Sequence, residues 1–486
     1  MLKYMKTLRD YQLLGRYGCN TLLNVGRHPL LVIPTGGGKT ITAISLISDQ
    51  VLLGKTIFIL TPQEEIFNQW VYALAADGFS VGMINDKGVT TSKSGVYVYV
   101  CMPLALNNLL DYLPANFRPD IIITDEAHHS AADSWEKIYK KWSDALRMGL
   151  TATPQRTDGK GLDHLYTDIV ETTNMSQLIA DGNLARPLTI VPEQYLEKVQ
   201  IKKGDYDPAD QARQLGKPRI IGNVIQKYGQ VLGGLPALAA CCSFDHAAQM
   251  TDAFQRSGWR WGHIHSKLNR ADRAGLLRDI SNGKLNGLCT VGVGTEGLDI
   301  PGLYGLIWLR RTLSLTIYLQ LTGRILRPAP GKDAGISLDF VGNTFIFGLP
   351  DTPRKWSLIG KGPAEESEPV KMKLCQACGT MNSPFNNNCH FCDHDLTVST
   401  AAGGRKIPAM VDGNLVTVDG SDIPNLSARA DLAKSKIKKE LLEEKKSSSI
   451  PAELSRGEKV DILKTGLFEK NKRPLFNRAL RKNNLK

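Results

Sequence analysis

The heptapeptide Pro34-Thr35-Gly36-Gly37-Gly38-Lys39-Thr40 follows the apolar run Leu30-Leu31-Val32-Ile33 and opens into Ile41-Thr42-Ala43-Ile44-Ser45. An apolar run, a glycine-rich turn and a helical run in that order read as strand, loop and helix. Glycines let successive backbone N–H groups wrap a phosphate, and the helix N-terminus adds the positive end of its dipole. Lys39 can then neutralise β- and γ-phosphate charge, and the Thr40 hydroxyl can hold Mg²⁺. The general pattern asks for glycine where Ile33 stands, so the strand and helix on either side carry the assignment.

Working outward, the first 180 residues repeat this alternation. Thr56-Ile57-Phe58-Ile59-Leu60, the β-branched and aromatic Val96 to Cys101, Ile121-Ile122-Ile123-Thr124 and Met148-Gly149-Leu150 are further strand-like runs, all but the second leading into polar residues. Continuous apolar strands separated by helical segments predict a parallel sheet covered on both faces. Asp125-Glu126-Ala127-His128 ends the third of these runs. That end of a parallel sheet is where a nucleotide lies. Asp125 is placed to hold Mg²⁺, and Glu126 to polarise an attacking water. A looser region from about Val191 to Lys227 precedes a second series of strand candidates. These are Ala237 to Ser243, Gly262 to His265, Leu288 to Val293, Tyr304 to Trp308 and Gly335 to Phe340.

The chain has 486 residues, which suggests about three domains. Its 42% hydrophobic and 22% charged content excludes full disorder, collagen and a coiled-coil rod. No apolar run reaches the ~18 residues of a membrane span, and the lysines of the first residues precede no secretory signal. The expectation is therefore a protein with no membrane partner. Of the net charge of +12, the stretch from Asp431 to Lys486 holds +8, with 16 Lys/Arg against 8 Asp/Glu. Any polyanion-binding surface elsewhere must come from local patches.

Four of the nine cysteines form the pattern Cys375-x2-Cys378-x10-Cys389-x2-Cys392. Each Cys-x2-Cys turn offers two thiolates to one tetrahedral Zn²⁺, and the spacing predicts a zinc ribbon. His390 and His394 are alternative ligands nearby. An odd total with one tight set of four points to a reducing compartment rather than a disulfide framework. The expected organisation is residues 1–185 and 186–350 as two α/β domains, 351–372 as a linker, 373–396 as the ribbon and 397–486 as a basic, partly disordered tail. Within that tail a Lys/Glu-rich stretch from Ala430 to Lys446 reads as helical.

These motifs, in this order over Leu8 to Gly348, resemble the superfamily 2 DEAD/DEAH-box helicase-type ATPases. The resemblance implies an α/β fold of two tandem RecA-like parallel-sheet domains, with ATP and Mg²⁺ in the cleft between them. Leu8-Arg9-Asp10-Tyr11-Gln12 resembles the adenine-sensing motif, with Arg9 and Gln12 as its nucleotide contacts. Thr35 to Thr40 supply the phosphate loop, and Gly297 and Asp299 add nucleotide contacts from Gly294-Thr295-Glu296-Gly297-Leu298-Asp299-Ile300-Pro301. Thr151-Ala152-Thr153, His128 and Gln320 are implied to couple the two domains. Arg324 and Arg327, in Gln320-Leu321-Thr322-Gly323-Arg324-Ile325-Leu326-Arg327, are implied to stabilise the transferring phosphoryl group. Three residues apart, they would share one helix face. Pro62, Gln63, Ser243 and Thr295 are the implied strand contacts, Gln63 standing where the family more often has arginine. His246, three residues beyond Ser243, suits an ordinary helix start at least as well as a strand contact.

Two such domains, a short linker and a four-cysteine ribbon further resemble the RadD-type repair ATPases of bacteria and their phage-encoded relatives. That implies a cytoplasmic, monomeric, DNA-dependent ATPase acting as helicase or translocase on single-stranded or branched DNA in repair, recombination or replication. Apart from that resemblance, three readings stay open for the ribbon, which are gripping nucleic acid, docking a repair or replication protein, and stabilising its own small module, and two for the tail, a solvated basic extension and a DNA- or partner-binding arm. The alternatives are an RNA helicase, the motor subunit of a restriction or defence system, and a nucleotide-gated scaffold.

Overall fold

The computed structural model describes residues 7–91, 95–130, 133–156, 159–192, 196, 198–202, 204–265, 267–292, 300, 302–360, 372–375, 380–384 and 386–397. The first unit contains strands β1 (Pro29–Val32), β2 (Ile57–Leu60), β3 (Val81–Asn85), β4 (Gly88–Thr91), β5 (Val98–Cys101), β6 (Ile121–Asp125), β7 (Leu146–Thr151) and β8 (Asp168–Glu171). Its helices are α1 (Asp10–Asn24), α2 (Lys39–Leu52), α3 (Glu64–Ala76), α4 (Pro103–Asn107), α5 (Asp133–Lys141) and α6 (Met175–Ala180). The strands form one sheet in the order β4-β3-β5-β2-β6-β7-β1-β8, parallel except for the β3–β4 hairpin.

Why the strands read as unbroken apolar runs is visible in the packing. Leu31, Ile33, Ile57 and Ile59 join one buried cluster with α1, α2 and α3. Leu30, Val32, Phe58 and Leu60 join another on the opposite face, with Trp135, Ile138 and Trp142. With both faces covered, alternation between apolar and polar is lost.

The second sheet takes β9 (Arg186–Ile190), and after a short hairpin β10 (Ile201–Lys202) and β11 (Asp205–Tyr206) it takes β12 (Ala237–Cys241), β13 (Trp261–Ile264), β14 (Gly287–Thr290), β15 (Gly305–Leu309) and β16 (Ala334–Asp339). Its order is β13-β14-β12-β15-β16-β9, all parallel. The accompanying helices are α7 (Pro208–Leu215), α8 (Pro218–Lys227), α9 (Phe244–Arg256), α10 (Arg270–Ser281), α11 (Leu315–Ile325) and α12 (Asn343–Phe347). The fold is thus two RecA-like α/β units in tandem.

The structure adds what apolar runs alone do not reveal. β3, β4, β8 and β9 are short or rich in glycine, threonine and charge, and they pair at or beside sheet edges. The region from 191 to 227, expected to be loose, contains the β10–β11 hairpin and both α7 and α8 among its described residues. Nor do the described residues of the 351–372 stretch form a free tether. Trp356 and Leu358 pack on the core of the first unit, and the Leu162 amide donates to the Leu358 carbonyl at 2.7 Å. Arg354 donates to the carbonyls of Phe347, Leu349, Pro350 and Thr352, fixing where the chain leaves the second unit.

Beyond this strap, β17 (Lys373–Leu374) and β18 (Met381–Asn382) make an antiparallel pair beside the cysteines. A bridge between Thr380 and Ile190 seats this small module against β9, the edge strand of the second sheet. The bridge meets that open edge only at its last residue, Ile190. The tail beyond Thr397, including the expected helix from Ala430 to Lys446, lies outside the described residues. Among the described residues no helix is long and apolar enough to cross a membrane.

Candidate active site

The phosphate-loop segment bends because its glycines leave ordinary backbone space. Gly36 has φ +86° and Gly38 φ +87°. A Cβ at Gly38 would lie 2.4 Å from Gln12 Nε2, and one at Gly37 would lie 2.6 Å from Ile33 Cγ2. Ile33 itself is fully buried and continues β1, its amide donating to the Thr151 carbonyl at 3.2 Å. The turn therefore begins after Ile33, closed by the Gly37 amide donating to the Pro34 carbonyl at 2.9 Å. From α1, Gln12 Nε2 donates to the Gly37 carbonyl at 3.1 Å and Tyr11 Oη to the same oxygen at 2.8 Å. Arg9 Nη1 donates to Tyr11 Oη at 3.1 Å, so Arg9 reaches the loop through a residue that the motif reading had not singled out.

At the end of β6, Asp125 is buried and held from both sides. Trp70 Nε1 of α3 donates to its Oδ2 at 2.7 Å, and the Glu126 amide donates to Oδ1 at 2.9 Å. Burial, and then the adjacent Glu126, push the Asp125 carboxyl up to about 6. Glu126 adopts φ +48°, ψ +56°, left-handed backbone that non-glycine residues rarely take and that turns its side chain into the cleft. From the second unit, Gln320 Nε2 donates to Glu126 Oε2 at 3.2 Å. His128 Nδ1 lies 3.6 Å from that same oxygen and 3.4 Å from Thr151 Oγ1. Thr151 Oγ1 in turn bonds the Thr153 backbone.

One cleft of about 460 Å³ is lined by Thr35, Gly36, Gly38, Lys39 and Thr40 from the loop, Asp125 and Glu126 from β6, and Gln320, Arg324 and Arg327 from the second unit. The structure thus brings these positions together from two sheets and three sequence segments. The expected shared helix face of the two arginines is corrected. α11 ends at Ile325, so only Arg324 is helical, and Arg327 follows the cap residue Leu326. Both still face the cleft, because the chain after α11 turns over the loop; a Cβ at Gly36 would lie 3.6 Å from Arg327 Cγ. A Cβ at Gly323 would lie 2.6 Å from Thr35 Cβ, so a glycine there lets α11 touch the loop.

The positions named for strand contact are more scattered. Pro62 and Gln63 lead into α3, with Gln63 at its N-cap. Ser243 caps α9, its Oγ accepting from the His246 amide at 3.2 Å. His246 is a buried residue whose Nδ1 lies 3.1 Å from Cys242 Sγ, as an ordinary helix-start position would have it. Thr295, Gly297 and Asp299 lie outside the described residues, as does Cys378.

In the small module the Sγ atoms of Cys375, Cys389 and Cys392 all lie within 4.8 Å of one another, with Cys375 and Cys392 at 3.6 Å. Zinc–thiolate bonds of ~2.3 Å in a tetrahedron separate sulfurs by about 3.8 Å, so these three suit that ion. His390 Nδ1 is instead 2.7 Å from Asn382 Oδ1, whose own amide nitrogen donates to Cys389 Sγ at 3.6 Å. The scattered cysteines, Cys19, Cys101, Cys241, Cys242 and Cys289, are all buried in the two cores.

Residues 5–156 match the family model described as type III restriction enzyme, res subunit, and residues 226–329 match the helicase conserved C-terminal domain. The chain belongs to helicase superfamily 2. A 51.5 kDa protein of a Lactococcus phage (isolate 7-9) is 29% identical to this helicase-type chain over 375 residues, 75% of the chain and 77% of the phage protein. Putative helicase 22 of a Sulfolobus islandicus filamentous virus is 24% identical, over 70% of the chain and 65% of the viral protein. Among solved structures, a fragment of a putative HsdR subunit of a type I restriction enzyme from Vibrio vulnificus superposes with a TM-score of 0.56 at 20% identity. It covers 72% of this chain and 67% of that one, and it shows the shared fold.

Proposed function

We propose that the chain is an ATP-driven DNA translocase or helicase. The observation that carries this reading is the Gln320–Glu126 hydrogen bond across the cleft, with Lys39, Asp125, Arg324 and Arg327 lining the same space. Water attack on a γ-phosphate needs positioning and charge neutralisation more than covalent chemistry. In this reading the loop amides and Lys39 hold the β- and γ-phosphates, and Arg9 and Gln12 meet the base side of the loop. Thr40 and Asp125 would hold Mg²⁺, hard oxygen donors suited to that ion, which when bound offsets phosphate charge. Glu126 orients the attacking water, and Arg324 and Arg327 stabilise the equatorial oxygens from the opposite unit.

Because Gln320 bonds the very carboxylate that meets the water, the fit of the two units depends on what occupies the cleft. His128, Thr151 and Thr153 extend that dependence into the first unit. Repeated closing and opening would then move a strand lying over the Pro62–Gln63 and Ser243 segments, chiefly through phosphate contacts. A structural Zn²⁺ on Cys375, Cys378, Cys389 and Cys392 would stabilise a module too small for a core of its own. DNA is favoured over RNA by the res-subunit match, since restriction enzymes act on DNA. The same match, with the HsdR-like fold, supports a second reading as the motor of a restriction or defence system. The repair, recombination or replication role, like the monomeric state, remains part of this proposal.

The test is ATP turnover of the full chain, alone and with single-stranded DNA, branched DNA or RNA, beside Lys39→Ala and Glu126→Gln. A DNA-stimulated rate that falls at least about a hundredfold in Glu126→Gln, with nucleotide binding retained, supports the motor. Stimulation by RNA alone would move the substrate to RNA. No turnover with any polymer would refute a free-standing motor.

A further inference from the structure

Beside the seam between the two units lies a side-chain cluster that the cleft chemistry does not use. Phe244, the first residue of α9, is 37% exposed. The ring of His265, just past β13, meets it edge-on with centroids 5.7 Å apart. The Lys267 ammonium stands 5.4 Å from the centre of the Phe244 ring. Arg273 of α10 donates to the His265 carbonyl at 3.4 Å and forms an ion pair with Glu65 in the first turn of α3. Glu65 comes two residues after Gln63, so one chain of contacts runs from the Pro62–Gln63 segment through Glu65, Arg273 and His265 to Phe244.

Exposure alone does not single this phenylalanine out; Tyr17, Tyr72 and Tyr112 are more exposed. Its surroundings do. The backbone under Phe244 is fixed by the Ser243 cap and by β12, the His265 ring packs nearly perpendicular to it, and the exposed Lys267 ammonium lies over the ring, from which its flexible stem can swing to a phosphate as a base takes its place. A braced aromatic ring with a lysine beside it is suited to a nucleobase and its phosphate. Stacking tolerates any base, because every base has a π-face. A motor that moves along DNA of any sequence needs a contact of this kind.

We propose that Phe244 is a stacking platform for an unpaired base of the DNA strand, with Lys267 holding the adjoining phosphate. This rests on the motor reading above and adds to it a base contact. The strand runs from the start of α3 over the Glu65–Arg273 pair to Phe244, and the ring acts as a stop past which bases step as the units open and close.

The test measures anisotropy of a labelled oligo(dT) with the full chain, and of the same strand with abasic sites. Phe244→Ala is expected to weaken oligo(dT) binding about 5- to 100-fold. Phe244→Trp should restore it, with indole emission quenched as oligo(dT) is added and unquenched with the abasic strand. Wild-type protein should bind the abasic strand as weakly as Phe244→Ala binds oligo(dT). If Phe244→Ala binds oligo(dT) as wild type does, or if the abasic strand binds wild type equally well, the platform is refuted while the motor stands. Tighter binding of oligo(U) than of oligo(dT) would overturn the assignment to DNA. Failure of wild type to bind any strand would overturn the motor reading and this inference with it.

Discussion

Trp70 shows how one side chain can set the chemistry of a carboxylate 55 positions away. Its indole N–H is a donor to Asp125, and that bond opposes the upward push of burial and of Glu126. Trp70→Phe removes the donor while keeping an aromatic ring in most of the space. The Asp125 carboxyl should then climb further, so that more of it is protonated near neutral pH, and a protonated carboxyl is a poor metal ligand. Half-maximal ATP turnover should need several-fold more Mg²⁺, with a larger deficit at pH 6.5 than at pH 8; an unchanged Mg²⁺ titration at both would refute the link. His246 offers a stability test with the opposite partner chemistry. Burial lowers its imidazole to about 4. Between the unfolded value near 6.5 and about 4, the unfolded chain binds the extra proton, so stability falls as pH falls through that window. The loss amounts to about 3 kcal/mol at most. His246→Leu should flatten that part of a denaturation-midpoint profile, and an equally steep profile would count against it. That Lys39, Asp125, Glu126 and the two arginines meet in one cleft was legible from sequence, because each sits in a short contiguous motif. Trp70 and Tyr11 were not, because an ordinary aromatic in a helix reads as core until its distant partner is known.

Short local patterns also decided which elements could be read in advance. β1, β2, β6 and β15 are unbroken apolar runs because both faces of their sheets are covered, and burial of that kind leaves a plain signal. β8, with Asp168 and Glu171 in four residues, and β9, which opens with Arg186-Pro187, do not carry it. Their strand character comes from parallel pairing with β1 and β16, which local composition does not encode. The helix α11 illustrates the same limit at the site. Its Arg324 was readable, but the role of Gly323 was not, since that depends on Thr35 from the other unit. Gly323→Ala would raise the helix propensity of α11 and yet place a methyl 2.6 Å from Thr35 Cβ. The helix must then move off the phosphate loop, carrying Gln320 and Arg324 with it. A displacement near 1 Å costs about a hundredfold when catalytic groups are involved. The expected result is a large fall in kcat with nucleotide affinity changed little, and a wild-type kcat would show that α11 need not touch the loop.

Across the whole molecule, the two units are held by contacts of different kinds at different places. Gln320–Glu126 and Gly323–Thr35 join them at the cleft, and Thr316 Oγ1 donates to the Gln155 carbonyl at 2.9 Å. The strap after the second unit returns to the first through Trp356 and Leu358. The Glu65–Arg273 pair links α3 to α10, and of these ties it alone is an ion pair, hence open to salt and to a competing phosphate. Its side chains are 29% and 17% exposed, so it should contribute only about 0.5–1 kcal/mol to the closed arrangement. That is enough to change the ratio of closed to open molecules about two- to fivefold where the two are nearly balanced. Glu65→Arg replaces attraction with repulsion and should open the molecule, read as lower energy transfer between dyes placed one on each unit. Arg273→Glu should do the same. The double variant Glu65→Arg/Arg273→Glu restores an opposite-charge pair and should recover most of the closed signal, with all three differences shrinking in 1 M salt. If both single variants stay as closed as wild type, then packing at the cleft and the strap sets the arrangement, and strand entry past α3 does not have to break a charge pair first.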